Sequence, residues 1–504
     1  MKKVIRTSIL PLLSIIVMLF SSCSQDDSVI MPPVVPVIKP DLVFFGISAS
    51  NQIIKYNANA AQNVAAQFTI TGLQASETIL AIDFRPATGQ LYGLGSTSRI
   101  YIINPETGAA RAIGAAPFTP SINGTITGFD FNPTVDRIRL VTNSGQNLRL
   151  NPETGTVAAT DAAINPAAAL IGAAYTNSFA GTASTVLYDI DGQKLYKQDP
   201  PNNGTLVEVG SLEVTATGGG DFDISNDNKV ALAALTVSGV NSIYQIDTLT
   251  GKAVNLGTLA TPVIGIAIPT RPVAYSTDMA NNLLIFNLTT PATPVTKAIT
   301  GLQAGENILG IDMRPATGQL YALGSTSRLY TINMSSGAAT AVGTAPFTTA
   351  LAGTSFGFDF NPTVDRIRVV SNTGQNLRLD PNTGLIAAVD GALNPGTPAA
   401  SAAAYTNNFA GATATTLFVI DPSTDKLYTQ TPPNNGTLVE VGALGINVET
   451  DNGFDIGGRT NLAYALLTVG TTTKIYSINL STGAATSVAD FPGLARGFAV
   501  GLGF

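Results

Sequence analysis

The chain has no histidine, no tryptophan and a single cysteine, Cys23, among its 504 residues. Without histidine there is no Ser-His-Asp triad, no Cys-His nucleophile pair and no imidazole ligand for zinc. One cysteine excludes an internal disulfide and a thiolate metal cluster. Charge is scarce as well: Asp, Glu, Lys and Arg make up 12% of the residues, 26 basic against 33 acidic, for a formal net charge of −7. Nucleic acid is recognised through a dense Lys/Arg footprint that displaces phosphate counterions, so no nucleic-acid partner is expected. Past the first segment nothing approaches the run of about 18 apolar residues that a membrane-spanning helix needs. Turn formers are plentiful instead, with 49 Gly and 29 Pro.

The N-terminus reads as an export signal. Lys2, Lys3 and Arg6 precede Ile9–Phe20, an apolar core too short for a permanent span. The run ends at Phe20-Ser21-Ser22-Cys23, which resembles a bacterial lipobox and implies that Cys23 becomes the lipidated first residue of the mature protein. Residues 1–22 are then the signal peptide, and 23–40 the lipidated cysteine with a proline-rich spacer. Ser24-Gln25-Asp26-Asp27 resembles the acidic export tag of surface lipoproteins in Bacteroidetes-type bacteria. Pro32, Pro33, Pro36 and Pro40 favour an extended spacer over a packed element. The expected location is the outer membrane, lipid-anchored and exposed at the cell surface, with the membrane a partner through the anchor.

The rest of the chain repeats itself. Gly128–Arg139 (GFDFNPTVDRIR) recurs unchanged at Gly357–Arg368, and Arg85–Tyr92 (RPATGQLY) at Arg314–Tyr321, both at an offset of 229. Pro200–Gly210 returns at Pro432–Gly442. Two copies follow, 41–270 and 271–504. Within each, short alternating apolar runs bounded by Gly, Pro, Asn and Asp recur about every 46 residues, the pattern of four-stranded propeller blades. The first copy opens with Leu42–Thr71, a blade missing one strand, and ends with Val263–Ile268, a strand with no blade attached. Joining them closes a ring without an exposed edge. The second copy ends in the same way at Arg496–Phe504. The fold expected is all-β, two tandem five-bladed β-propellers. One ten-bladed ring is the alternative, if Val263–Ile268 pairs onward with Val273–Thr277 across the short link 269–272.

The paired FDFNPTVDRIR…NLRL and RPATGQLYxLGSTSR motifs resemble those of a bacterial family, the domain of unknown function numbered four-three-nine-four, once per copy. The Ile-Tyr-x-Ile-(Asn/Asp)-x-x-Thr-Gly blades more loosely resemble quinoprotein and YVTN-type propellers. The resemblance implies one domain per copy and brings no catalytic residue.

Two sets of residues are candidates for chemistry. Asp83, Asp130 and Asp223, with Asp312, Asp359 and Asp455 in the second copy, fall on first strands, which line a propeller's central channel. There they either hold a cation, calcium being the ion that suits carboxylates, or accept hydrogen bonds that lock adjacent blades. The second reading is favoured because it requires no ligand; no cofactor is otherwise expected. Arg137, Arg139 and Arg149, with Arg366, Arg368 and Arg378, form a patch suited to an anionic ligand. Pairing with nearby carboxylates competes with that role and is favoured. The Pro200–Gly204 and Pro432–Gly436 turns read as exposed and suited to recognition.

The function expected is a non-enzymatic, surface-tethered binding or adhesion module for a glycan or protein ligand, with two rings on one stalk offering avidity. The alternatives are a carboxylate-based glycan hydrolase or lyase, marked by a carboxylate pair about 5–10 Å apart in a pocket, and a scaffold partner in an outer-membrane assembly.

Overall fold

Apolar runs of four to seven residues between tight turns cannot bury a helical stripe, but they suit a pleated sheet stacked between two others. The computed structural model describes residues 38–125, 127–218 and 220–504; the export segment and Cys23 lie outside them. The described residues form forty strands in ten four-stranded antiparallel sheets, with three short 3-10 turns and no α-helix. No helix among them is long and apolar enough to cross a membrane.

Blade 1 takes its inner strand from the end of the first copy. Gly265–Ala267 pairs with Val43–Ile47, followed outward by Gln52–Asn57 and Ala66–Thr69. Blades 2 to 5 run in chain order, with inner strands Ile79–Phe84, Thr127–Asn132, Gly172–Tyr175 and Asp221–Ile224. Gly265–Ala267 packs against the inner strands of both blade 5 and blade 2, so five blades close the first ring. The second ring repeats the device: Ala495–Val500 pairs with Ala274–Asp278 to form blade 6 and packs against the inner strands of blades 7 and 10. Blades 7 to 10 have inner strands Ile308–Arg314, Phe356–Asn361, Ala402–Tyr405 and Gly453–Ile456. The protein is therefore two five-bladed rings. The ten-bladed alternative fails because each copy's last strand returns to its own first blade rather than passing on to the next.

Burial explains the gradient of sequence from hub to rim. The inner strand Gly172–Tyr175 is buried at every residue, whereas the outermost strand of blade 3, Thr156–Thr160, alternates between exposed and half-buried. Crowding at the hub selects small residues. A Cβ added at Gly128 would lie 2.6 Å from the Ala173 side chain, and one at its repeat Gly357 would lie 2.7 Å from that of Ala403. Between blades the core is continuous: Tyr92 and Leu94 of blade 2 pack with Phe129, Phe131 and Leu140 of blade 3.

Candidate functional site

The six channel aspartates are brought together in two groups of three. In each ring, one carboxylate oxygen from each residue lies within 4.8 Å of the others. All six are buried, and each reaches across to the next blade. The Asp83 carboxylate accepts hydrogen bonds from the backbone N–H of Phe84 at 2.7 Å and, in blade 3, of Phe131 at 2.8 Å. Asp130 accepts from Tyr175 N–H in blade 4 at 3.1 Å, and Asp223 from Ile224 at 2.6 Å and from Ile268, beside the blade 1 inner strand, at 2.5 Å. The second ring repeats these bonds at Asp312 to Phe360 (2.8 Å), Asp359 to Tyr405 (2.9 Å) and Asp455 to Val500 (2.6 Å). Burial, reinforced by the neighbouring carboxylates, pushes Asp83, Asp130, Asp312 and Asp359 well above the ordinary range. Burial raises Asp223 and Asp455 to about 7, against the pull of their backbone donors.

The candidate arginines are engaged within the fold. Arg139 is 2% exposed. Its Nη1 donates to Asp161 at 2.6 Å and to Asn147 at 2.7 Å, and its Nη2 crosses to Asn202 of blade 4 at 2.8 Å. Arg149 adds a two-point contact to Asp161 at 2.8 and 2.9 Å. Burial alone would raise Asp161, but the hydrogen bonds from Arg149 and Arg139 outweigh it and hold the carboxyl below its ordinary range. Arg368 and Arg378 repeat the cluster on Asp390 at 2.6 and 2.7 Å, and Arg368 reaches Asn434 at 2.8 Å. Arg137 and Arg366 donate to the backbone oxygens of Asp136 and Asp365 at 2.8 and 2.9 Å. The Pro200–Gly204 turn is exposed at Pro200, Asn202 and Asn203 and is also tied to blade 3, since Pro201 O accepts from Asn147 Nδ2 at 3.0 Å and Asn202 from Arg139. Its recurrence at Pro432–Gly436, where Pro433 O accepts from Asn376 at 3.0 Å, follows from the same interblade joint.

The motif arginine Arg85 is fully buried and pairs with Asp136, its Nε donating at 2.9 Å, and with Glu153 at 3.2 Å. Its Nη1 also points to Gly318 O in the second ring, at 3.4 Å. Around it the two rings are joined directly. Tyr275 O–H donates to Ala87 O at 2.9 Å, Gln319 Nε2 to Glu153 at 3.1 Å, and Gly503 N–H to Thr88 O at 2.8 Å. The Phe504 ring covers Gly89, where an added Cβ would lie 2.2 Å from Cζ.

Beside this joint is a cleft of about 440 Å³ with walls from both rings. The first ring supplies Leu91, Ile103, Asn104, Thr107 and Arg111; the second supplies Phe409, Arg459 and Leu502. Among the described residues no Asp or Glu lines it. The Arg111 guanidinium has no hydrogen bond or ion pair among the described residues, and burial lowers its pKa. The Arg459 guanidinium makes one ion-pair contact among the described residues, at 4.0 Å to Glu106, and Phe409 is 48% exposed. Sequence reasoning missed this site because it followed what the copies share. The available signal was a difference between them: Thr340 stands at the position of Arg111, and Asp227 at that of Arg459.

Closed rings with carboxylate-latched hubs and a shared cleft define a tandem five-bladed β-propeller. The chain belongs to the DUF4394 family, a domain of unknown function, which it matches over residues 52–267 and 282–499, once per ring. No curated protein matches it. Among solved structures it is similar to the extracellular domain of a hybrid two-component system from B. thetaiotaomicron, with 12% identity over 90% of this chain and 65% of that one, at a TM-score of 0.27. It is also similar to PorZ, a surface component of the type-IX secretion system of Porphyromonas gingivalis, with 13% identity over 90% of this chain and 59% of that one, at a TM-score of 0.25. The chain thus spans less than two thirds of either structure.

Proposed function

We propose that the protein is a surface-tethered binding lipoprotein, anchored through Cys23, that holds an acidic ligand in the cleft between its two rings. The observation that carries this reading is Arg111, a half-buried guanidinium with no hydrogen bond or ion pair among the described residues, in the wall of a 440 Å³ cleft. Leaving a cation partly desolvated and unpaired is costly, and an incoming carboxylate or sulfate removes that cost through a two-point contact. Phe409, in the wall supplied by the second ring, offers an apolar face against which a sugar ring packs, and the volume falls within the usual range for small-ligand sites. The acidic oligosaccharide is therefore the ligand class that the walls suit best. A lining without Asp or Glu among the described residues speaks for binding over glycoside hydrolysis, which needs two carboxylates flanking the bond.

A glycan array probed with the chain from Lys39 onward tests this, with uronate- and sulfate-bearing oligosaccharides set against neutral ones. Acidic binders are expected. Binding confined to neutral glycans, or to none, overturns the assignment.

A further inference from the structure

We propose that each ring holds one calcium ion at its hub, between Asp83, Asp130 and Asp223 in the first and between Asp312, Asp359 and Asp455 in the second. Three buried carboxylates whose oxygens lie within 4.8 Å of one another repel strongly unless something positive joins them. None of the six forms an ion pair with Lys or Arg among the described residues, so the protein itself supplies no compensating charge.

The interblade hydrogen bonds do not exhaust the acceptors. Asp359 is 1% exposed, and while its Oδ1 accepts from Tyr405 N–H, its Oδ2 is buried with no donor at all among the described residues. An orphaned oxygen on one of three clustered carboxylates is an acceptor that a cation would satisfy. The donor set is oxygen alone, which suits a hard ion, and ligands on opposite sides of a calcium sphere stand about 4.6–5.2 Å apart. All three aspartates are present in both copies, whereas the adjacent Asp221 is replaced by Gly453 and Asp189 by Val419.

The rival is neutralisation by protons, and metal content separates the two. Native mass spectrometry of the protein from Lys39 onward, exchanged into calcium-containing volatile buffer, is expected to show two calcium ions per chain. Asp359→Asn, which keeps an oxygen to accept from Tyr405, is expected to show one. Thermal unfolding of the wild type should move upward by several degrees between EDTA and millimolar calcium. A wild type that retains no calcium and unfolds at the same temperature in both buffers overturns the proposal, whether or not the variant folds. Two ions retained by Asp359→Asn overturn the assignment to the hub.

Discussion

Asp189 shows what a single buried group can cost. It lies on the strand Leu187–Ile190, fully buried, with neither carboxylate oxygen hydrogen-bonded among the described residues. Burial drives its pKa up to about 8, only partly offset by Arg139. The second copy has Val419 at this position, packed in an apolar cluster with Val370, Leu417 and Tyr405. The raised value fixes the sign of the pH dependence. The folded state keeps a proton that the unfolded chain releases above about pH 4, so this group's contribution to stability falls as pH rises towards about 8 and is flat beyond. Asp189→Val should stabilise the protein at pH 7 by about 1–3 kcal/mol, the cost of an unsatisfied buried polar group. It should also flatten the loss of stability between pH 5 and 8. Urea unfolding midpoints at those two pH values check both effects, and midpoints unchanged by the substitution would contradict the assignment.

At the scale of elements, adjacent blades are held by side chains that leave one sheet and end on the next. Arg139, itself buried, joins Asp161 in its own blade to the exposed Asn202 in the following one. Arg139→Ala is expected to cost about 3 kcal/mol, because it strands buried partners. Arg149→Ala, which removes a guanidinium that is 34% exposed, should cost about 1 kcal/mol or less. Equal losses for the two in chemical denaturation would refute the distinction. The strands themselves were legible because alternation and turn residues are local, and so was ring closure, because Val263–Ile268 has no blade of its own. The role of Arg139 was not. Alternation places it on the same side as Arg137, but its burial is decided by a turn more than sixty residues later in the chain. The Pro200–Gly204 turn is exposed, as its residues suggest, but the hydrogen bonds that tie it to blade 3 come from Arg139 and Asn147, more than fifty residues earlier, and no local pattern announces them.

At the scale of the whole molecule, the two rings are one packed body, not beads on a string. Ala87 of the first ring lies within the core cluster built around Val273, Tyr275 and Leu283 of the second, and Phe504 closes over Gly89. Gly89 has φ of +71°, and a methyl group there meets the Phe504 ring. Gly89→Ala should therefore loosen this joint. Amide hydrogen exchange is expected to accelerate at Thr88–Leu91 and Gly501–Phe504 while the hub strands stay protected; unchanged exchange at both segments would contradict the packing role. The cleft arises at this scale alone. Arg111 and Phe409 stand nearly three hundred residues apart on different copies, and no pattern within either copy brings them together. The most direct test of the binding site is calorimetric titration of the tightest acidic glycan from the array into the wild type, Arg111→Ala and Arg149→Ala. A ligand seated in the cleft predicts a loss of about tenfold or more in affinity for Arg111→Ala, about 1.4 kcal/mol, with Arg149→Ala close to the wild type. Equal affinity in all three proteins, or a loss confined to Arg149→Ala, would contradict it.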